Sequence, residues 1–528
     1  MSQSYSLALL EDTTVTPERL ERLAARVDAE ESETSLVVRT PITDEPLASV
    51  PAATATDVST AVERAREAGE GWAATPVEER AEVIERFGDL VTANREELQD
   101  VVQLETGKAR IHAFEELLDV PATCSYYAGT AAEVIADDPR DGAFPLVSDA
   151  VVTHDPIGVV GVISPWNYPL TLSMTDAIPA LMAGNAVVCK PDERTPFVAL
   201  ALAELLEEAG LPADVFQVVT GEGSTVGPAL IDAVEYVAFT GGTETGRVVA
   251  ERAGRNLIGC SLELGGKNPF IVLADADVAD AVRGAVRTAY ANAGQLCLAP
   301  ERIYVAESRY AEFLDAFVEA TRSLTLGHAF EYGPDVGSLI DEAHRDRVDD
   351  FVQGAVEDGA TVVTGGNARP DIGPSWYEPT VLTDVDPDAR IACEETFGPV
   401  VIVTPVRDEA EAIERANDSL YGLNASVWTA DRDRGRAVAR RIDCGTVCVN
   451  DAFVVGWSAV DAPMGGIGDS GLGRRHGPEG IGRFLAVRTV ATSRVGPLTF
   501  PSALPMDWVA RLVSGGLTLK RRIARRLR

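Results

Sequence analysis

Residues 291–300, ANAGQLCLAP, set a cysteine behind a Gly-Gln pair. A thiol at Cys297 becomes a useful nucleophile only with a group nearby to take a proton and a donor to hold charge on the carbonyl it attacks. Upstream, SLELGGKNPF puts Glu263 just before a glycine pair. Burial in such an apolar turn would raise its pKa towards the range a general base uses. ISPWNYPL (163–170) holds Asn167 in a turn between two prolines, an amide donor suited to an oxyanion. FTGGTETG (239–246) follows a strand-like run and opens a helix-like one, with Gly241 and Gly246 five apart. That suits backbone approach to a pyrophosphate at a helix N-terminus. VCKPDERTP (188–196) sets Lys190 and Glu193 directly after another strand-like run. Singly, each has a plainer reading: Cys297 as a small core residue, Glu263 in a salt bridge or cap, Asn167 bonding its own turn.

The elements that must position these groups follow from periodicity. From 155, short apolar runs VVGVIS (159–164), AVVCK (186–190), VFQVVTG (215–221), YVAFTG (236–241) and PFIVL (269–273) alternate with helical stretches such as PFVALALAELLEEAG. Such alternation indicates βαβ units and a parallel sheet. A second α/β set begins near 274 and runs through GTVCVND (445–451), and Cys297 falls in the loop between its first helix and first strand. Residues 1–50 read as an irregular arm with short strands. A mostly helical segment follows, with capping boxes at Thr75-Pro76-Val77-Glu78 and at Asn94 to Glu97. The uncharged stretch 156–175 is long enough to consider as a membrane span, but its three prolines and Asn167 make it a buried strand and loop. The tail 501–528, ending LTLKRRIARRLR, is basic and amphipathic. A helix packed on the acidic body or at a subunit contact is the favoured reading, with contact to an anionic membrane as the alternative.

Composition limits the partners. At 528 residues the chain exceeds the size at which one core keeps growing. Seven cysteines without a paired framework, and no charged and apolar leader, indicate a reduced, cytoplasmic protein. A net charge of −36 argues against nucleic acid as a partner. Only four lysines (108, 190, 267, 520) stand among 46 basic residues, so the surface reads as halophilic, with its self-repulsion screened by salt. Lys190 and Lys267 both lie inside motifs, where a compact ammonium rather than any cation is needed. No metal site is expected, since Cys444 and Cys448 lack two further ligands at suitable spacing. None of the five histidines sits in a motif that would serve a cysteine hydrolase.

Together, SPWNYPL, KPDERTP, FTGGTETG, LELGGKNP, GQLC, EETFGPV (394–400) and PMGGIGDSGLGRRHG (463–477) resemble the aldehyde dehydrogenase superfamily from about residue 35 to 495. The resemblance implies Cys297 as nucleophile, Glu263 as general base and Asn167 as oxyanion donor. It implies Lys190 and Glu193 at the adenosine ribose, Gly241, Gly242 and Gly246 at the pyrophosphate, and Glu395 and Phe397 at the nicotinamide ribose and ring. Ile163, Trp166, Phe239 and Leu264 would line the same cofactor site. The implied architecture is a Rossmann-like parallel-sheet cofactor domain (1–132 and 153–264), an α/β catalytic domain (265–464), and a small β oligomerisation element (133–152 and 480–500). Residues 501–528 form the tail, and a homodimer or homotetramer is expected.

The implied reaction is NAD(P)-dependent oxidation of an aldehyde to its acid through a cysteine thiohemiacetal and thioester. Glu193 would accept from a 2′-hydroxyl and repel a 2′-phosphate, favouring NAD+ over NADP+, with the neighbouring Arg194 offsetting part of that repulsion. The motif variants look most like the succinate-semialdehyde branch, with a broad aliphatic or aromatic aldehyde as the alternative and a non-catalytic relative third. Three positions depart from the usual pattern: Met464 and Gly468 replace Phe and Lys, and Gly242 replaces a commoner serine. Ala291 stands where many succinate-semialdehyde enzymes carry an arginine for the substrate carboxylate, and Arg302 is a candidate to replace it.

Overall fold

The computed structural model describes residues 7–29, 34–140, 147–497, 499 and 505–526. Expectations for 1–6, 30–33, 141–146, 498, 500–504 and 527–528 lie outside the described residues. The chain divides into a large unit, Met1–Ile135 with Pro156–Leu485, and a small one, Ala136–Asp155 with Ala486–Arg528.

Two buried sheets organise the large unit. β-branched runs too apolar for a half-solvated face build them, as parallel strands covered on both faces require. Among the described residues the first sheet has six strands, in the order Gly471–Leu472, Gly259–Glu263, Tyr236–Thr240, Val159–Ile163, Ala186–Lys190 and Phe216–Val218. All pair in parallel except the short Gly471–Leu472. Chain order runs outwards in both directions from Val159–Ile163, so the sheet reverses between that strand and Tyr236–Thr240. A doubly wound sheet opens a crevice at such a reversal.

The second sheet runs Thr361–Thr364, Thr380–Thr383, Val400–Val406, Pro300–Ala306, Asn268–Val272, Asn424–Trp428 and Thr446–Val449. Only Thr361–Thr364 is antiparallel. PFIVL, grouped by periodicity with the first run of strands, is a central strand of this second sheet. Glu263 ends a strand of one sheet and Asn268 begins a strand of the other, so Leu264–Lys267 crosses between them.

Local corrections concern the N-terminal third. Pro17–Ala24 is a helix whose N-cap Thr16 accepts from the Arg19 N–H, so the arm is not merely irregular strand. Neither proposed capping box forms. The Thr75 hydroxyl donates to the Gly71 carbonyl and closes the preceding helix, leaving Pro76 at the N-cap of Val77–Ala93. Asn94 likewise donates its side-chain amide back to Leu90 O (2.8 Å). In both cases the polar side chain satisfied the carbonyls of the finished helix before the amides of the next. The stretch 156–175 is a strand, a turn and the short helix Pro169–Met174. No described helix is long and apolar enough to cross a membrane.

In the small unit, Asp138–Arg140, Ser148–Pro156 and Leu485–Ser493 form a three-stranded sheet, with Ser148–Pro156 in the middle. Beyond Leu485 the last of these strands is exposed along its length.

Candidate active site

Cys297 is delivered by a strained turn. After helix Val278–Ala289, Asn292, Ala293 and Gly294 all adopt left-handed backbone (φ 50°, 55° and 74°). Non-glycine residues there cost about 1–2 kcal/mol each, so packing must impose the turn. Gln295, fully buried, supplies the clamp: its amide donates to Asn292 O (2.9 Å) and its oxygen accepts from Ile340 N (2.9 Å). A Cβ at Gly294 would lie 2.0 Å from Gly398 O, so no larger residue fits. Asn268 then fixes the far side by donating to Cys297 O (2.7 Å) and Ala299 O (2.8 Å). The thiol rests neutral. Burial and the nearby Glu395 and Glu263 carboxylates push it up to about 12, against the opposing pull of Arg475.

Glu263 is 5% exposed, and its Oε1 is buried without a hydrogen-bond partner. Burial raises its carboxyl to about 7, with the Arg475 guanidinium pulling the other way. Arg475 is itself bound to Asp176 (2.8 Å) and to the Thr240 hydroxyl (3.0 Å), so it acts on Glu263 from a distance rather than as a partner. Glu395 accepts from the Gly266 N–H (2.8 Å), and burial and Glu301 push its carboxyl up to about 8.

Asn167 is almost fully buried and donates one amide hydrogen to Gln295 O (3.1 Å), in the loop that carries Cys297. Its own carbonyl accepts from Lys108 Nζ (2.6 Å) and Asn292 Nδ2 (3.0 Å). Lys108 forms a fully buried ion pair with Glu116, which accepts from the N–H groups of Leu170 (2.8 Å) and Thr171 (3.2 Å) just after the turn. A buried charge pair thus holds the Asn167 turn from two sides. A cavity of about 60 Å³ joins Cys297 and Asn167 to Tyr168, Leu296, Phe453 and Trp457.

A larger groove of about 790 Å³ opens at the sheet reversal. It is lined by Ile163, Trp166, Lys190, Glu193, Phe239, Gly241 and Gly242. Helix Thr243–Asn256 starts at its floor, where the first N–H groups lack helical partners. A Cβ at Gly242 would meet nothing within 4 Å, whereas one at Gly246 would press into Leu264 (2.4 Å). Gly242 therefore keeps the groove open and Gly246 packs the helix on the sheet. Lys190 Nζ donates to Pro191 O (2.9 Å) and lies 3.4 Å from Glu193 Oε2. Trp166 stands edge-on to Phe397 and His344 (5.5 and 5.6 Å between centroids), under the Arg194 guanidinium. Phe397 takes a left-handed φ of 56° because Glu301, paired with Lys267, gathers the N–H groups of Thr396 and Phe397. The groove, its helix start and its glycine opening fit a dinucleotide.

The aldehyde dehydrogenase family model matches residues 27–490. The chain belongs to the aldehyde dehydrogenase family. It is an NAD(P)-dependent aldehyde oxidoreductase. A Mycolicibacterium smegmatis aldehyde dehydrogenase, provisionally named as a succinate-semialdehyde dehydrogenase using NADP(+), is 52% identical over 449 residues, covering 85% of this chain and 87% of its own. Phenylacetaldehyde dehydrogenase of Pseudomonas fluorescens is 38% identical over 472 residues, covering 87% and 93%. Among solved structures, betaine aldehyde dehydrogenase of Staphylococcus aureus with NAD+ superposes with a TM-score of 0.86 at 34% identity, covering 91% and 95% of the two chains.

Of the residues assigned to the aldehyde dehydrogenase site from sequence, Cys297 and Asn167 line the small cavity and Ile163, Trp166, Lys190, Glu193, Phe239, Gly241 and Gly242 line the groove, while Glu263, Leu264, Gly246, Glu395 and Phe397 line neither. Two features escaped the sequence. Scarcity and motif position single out Lys190 and Lys267 in the sequence but not Lys108, the third buried lysine. Arg302 is a correction: it donates to the carbonyls of Lys267, Arg415, Ala416 and Asp418, closing the end of helix Glu409–Asn417, and has no place in the thiol cavity.

Proposed function

We propose that Cys297 is the nucleophile of aldehyde oxidation, Asn167 its oxyanion donor and Glu263 its general base. The observation that carries this reading is the buried, unpartnered Glu263 Oε1, close enough to help raise the pKa of the half-buried, neutral Cys297 thiol, since a base needs a vacant oxygen and a pKa near neutrality. Glu263 in its carboxylate form takes the thiol proton as Sγ attacks the aldehyde carbon. The second amide hydrogen of Asn167 and the Cys297 N–H hold the oxygen that becomes negative. NAD(P)+, when bound, supplies the hydride acceptor for the thiohemiacetal carbon. After releasing the thiol proton to solvent, Glu263 takes a proton from the water that attacks the thioester and returns it to the departing Cys297 thiolate, leaving the carboxylic acid and the free thiol. Trp166, Lys190 and Glu193 line the groove that would hold the cofactor, and Phe397 stands edge-on to Trp166. Arg194 is engaged by Asp192 (2.8 Å) and Asp341 (3.0 Å), so it offsets little of the repulsion that Glu193 presents to a 2′-phosphate. That supports NAD+ as the better cofactor.

For the substrate, relatives about half identical to this chain support succinate semialdehyde. The cavity wall favours a second reading, an apolar or aromatic aldehyde: Tyr168, Leu172, Phe453 and Trp457 line it, and no described lysine, arginine or histidine does. Steady-state kcat/KM for succinate semialdehyde against phenylacetaldehyde, with both cofactors, decides between them. A preference for phenylacetaldehyde sinks the first reading. Loss of all oxidation in Cys297→Ala is expected, and full retention would overturn the mechanism. The three-stranded sheet, with Val487 and Val490 exposed on its outer strand, supports a homo-oligomer built through that element. Val490→Glu should then lower the molar mass measured by light scattering.

A further inference from the structure

Helix Met506–Arg526 contributes no residue to the lining of either cavity. At about 3.6 residues per turn, Met506, Trp508, Val509, Leu512, Val513 and Leu517 fall within one half of its circumference. Arg511, Arg521, Arg522 and Arg525 fall in the other half, with Asp507, while Lys520 falls among the apolar residues. Val509 is covered, yet Trp508 and Leu512 on one flank of the apolar half are 58% and 61% exposed, and Met506 and Leu517 on the other are 53% and 41% exposed. Residues 506–528 carry seven cationic side chains and one carboxylate, in a chain of net charge −36. A segment so opposite in sign to its own chain is built for an anionic surface.

The arrangement separates a lipid surface from an acidic protein patch. A protein patch would neutralise the arginines and leave Trp508 and Leu512, on the other half, in water. At a bilayer surface the apolar half enters the acyl boundary, while Arg521 and Arg522, just outside its two edges, reach lipid phosphates along their methylene stems. The helix is not apolar enough to cross a membrane, so it would lie in the interface plane. We propose that helix Met506–Arg526 docks this enzyme on an anionic phospholipid surface, with Trp508 and Leu512 inward.

The test is flotation of the full-length protein with vesicles of phosphatidylcholine alone and of phosphatidylcholine with phosphatidylglycerol, at a KCl concentration that preserves aldehyde oxidation. The protein should float with the mixed vesicles and not with the neutral ones. Trp508→Asp with Leu512→Asp, and separately Arg521→Glu with Arg522→Glu and Arg525→Glu, should each weaken binding roughly tenfold or more while leaving the oxidation rate unchanged. Equal binding to both vesicle types, or none to either, overturns the proposal. Loss of an oligomer in the variants, with no vesicle binding by the parent protein, would assign the helix to a second copy of the chain instead.

Discussion

At the residue scale, the proposed mechanism makes the pH dependence of turnover follow Glu263. A carboxyl raised to about 7 is protonated, and useless as a base, below that pH. Turnover should therefore rise with pH through about 7 and then level off. Glu263→Gln should abolish that limb and lower kcat by about 10²- to 10⁴-fold. Stopped-flow detection of cofactor reduction should show the first turnover slowed as well, because Glu263 also takes the thiol proton. An unchanged pH profile in the variant would remove Glu263 from this role. Glu193 is argued from the same scale: Glu193→Gln removes a negative charge from the groove and should lower the KM for NADP+ relative to NAD+. An unchanged cofactor ratio would show that the 2′ position lies elsewhere.

At the scale of elements, the Asn167 turn and the Cys297 turn are held by buried groups rather than by their own propensity. Lys108→Met leaves Glu116 uncompensated in the interior and should cost about 3–5 kcal/mol, read as a lower urea midpoint. Adding Glu116→Leu should recover much of that stability, because the desolvation cost of both charges disappears. The double variant should stay slow, with kcat reduced more than KM, since Asn167 O has lost its lysine donor. A double variant with full kcat would show that the ion pair serves stability alone. Gly294→Ala places a Cβ against Gly398 O at a φ of 74° and should destabilise the loop enough to lower both activity and thermal midpoint.

At the scale of the whole molecule, a net charge of −36 with four lysines makes salt a structural variable. Surface repulsion between carboxylates falls as the Debye length shortens from about 10 Å to about 3 Å between 0.1 and 1 M salt. The thermal midpoint should rise steadily with KCl over that range. A midpoint independent of KCl would leave the acidic composition without a stabilising partner in salt. The same screening weakens any purely electrostatic docking of the tail, which is why its apolar half carries part of the proposed membrane contact.

The amino-acid sequence by itself determined the two α/β sets, the family and the positions of Cys297, Glu263, Asn167 and the cofactor-groove residues. Those features are encoded locally, in strand-length apolar runs and in motifs a few residues long, so they are legible without a fold. It misplaced what depends on competition between neighbours. Thr75 and Asn94 had suitable types for N-caps, but each bonded backward to a carbonyl already present. PFIVL was a strand by composition, while the choice between two sheets rested on which neighbours it met. Arg302 was a free cation on paper and a helix-end ligand in the fold. Only tertiary structure brought Lys108 and Glu116 to the Asn167 turn, left Glu263 Oε1 without a partner, and lined the thiol cavity with aromatic rings instead of a cation. Such facts are sums of long-range burial and partner choice, and no single segment of the chain contains them.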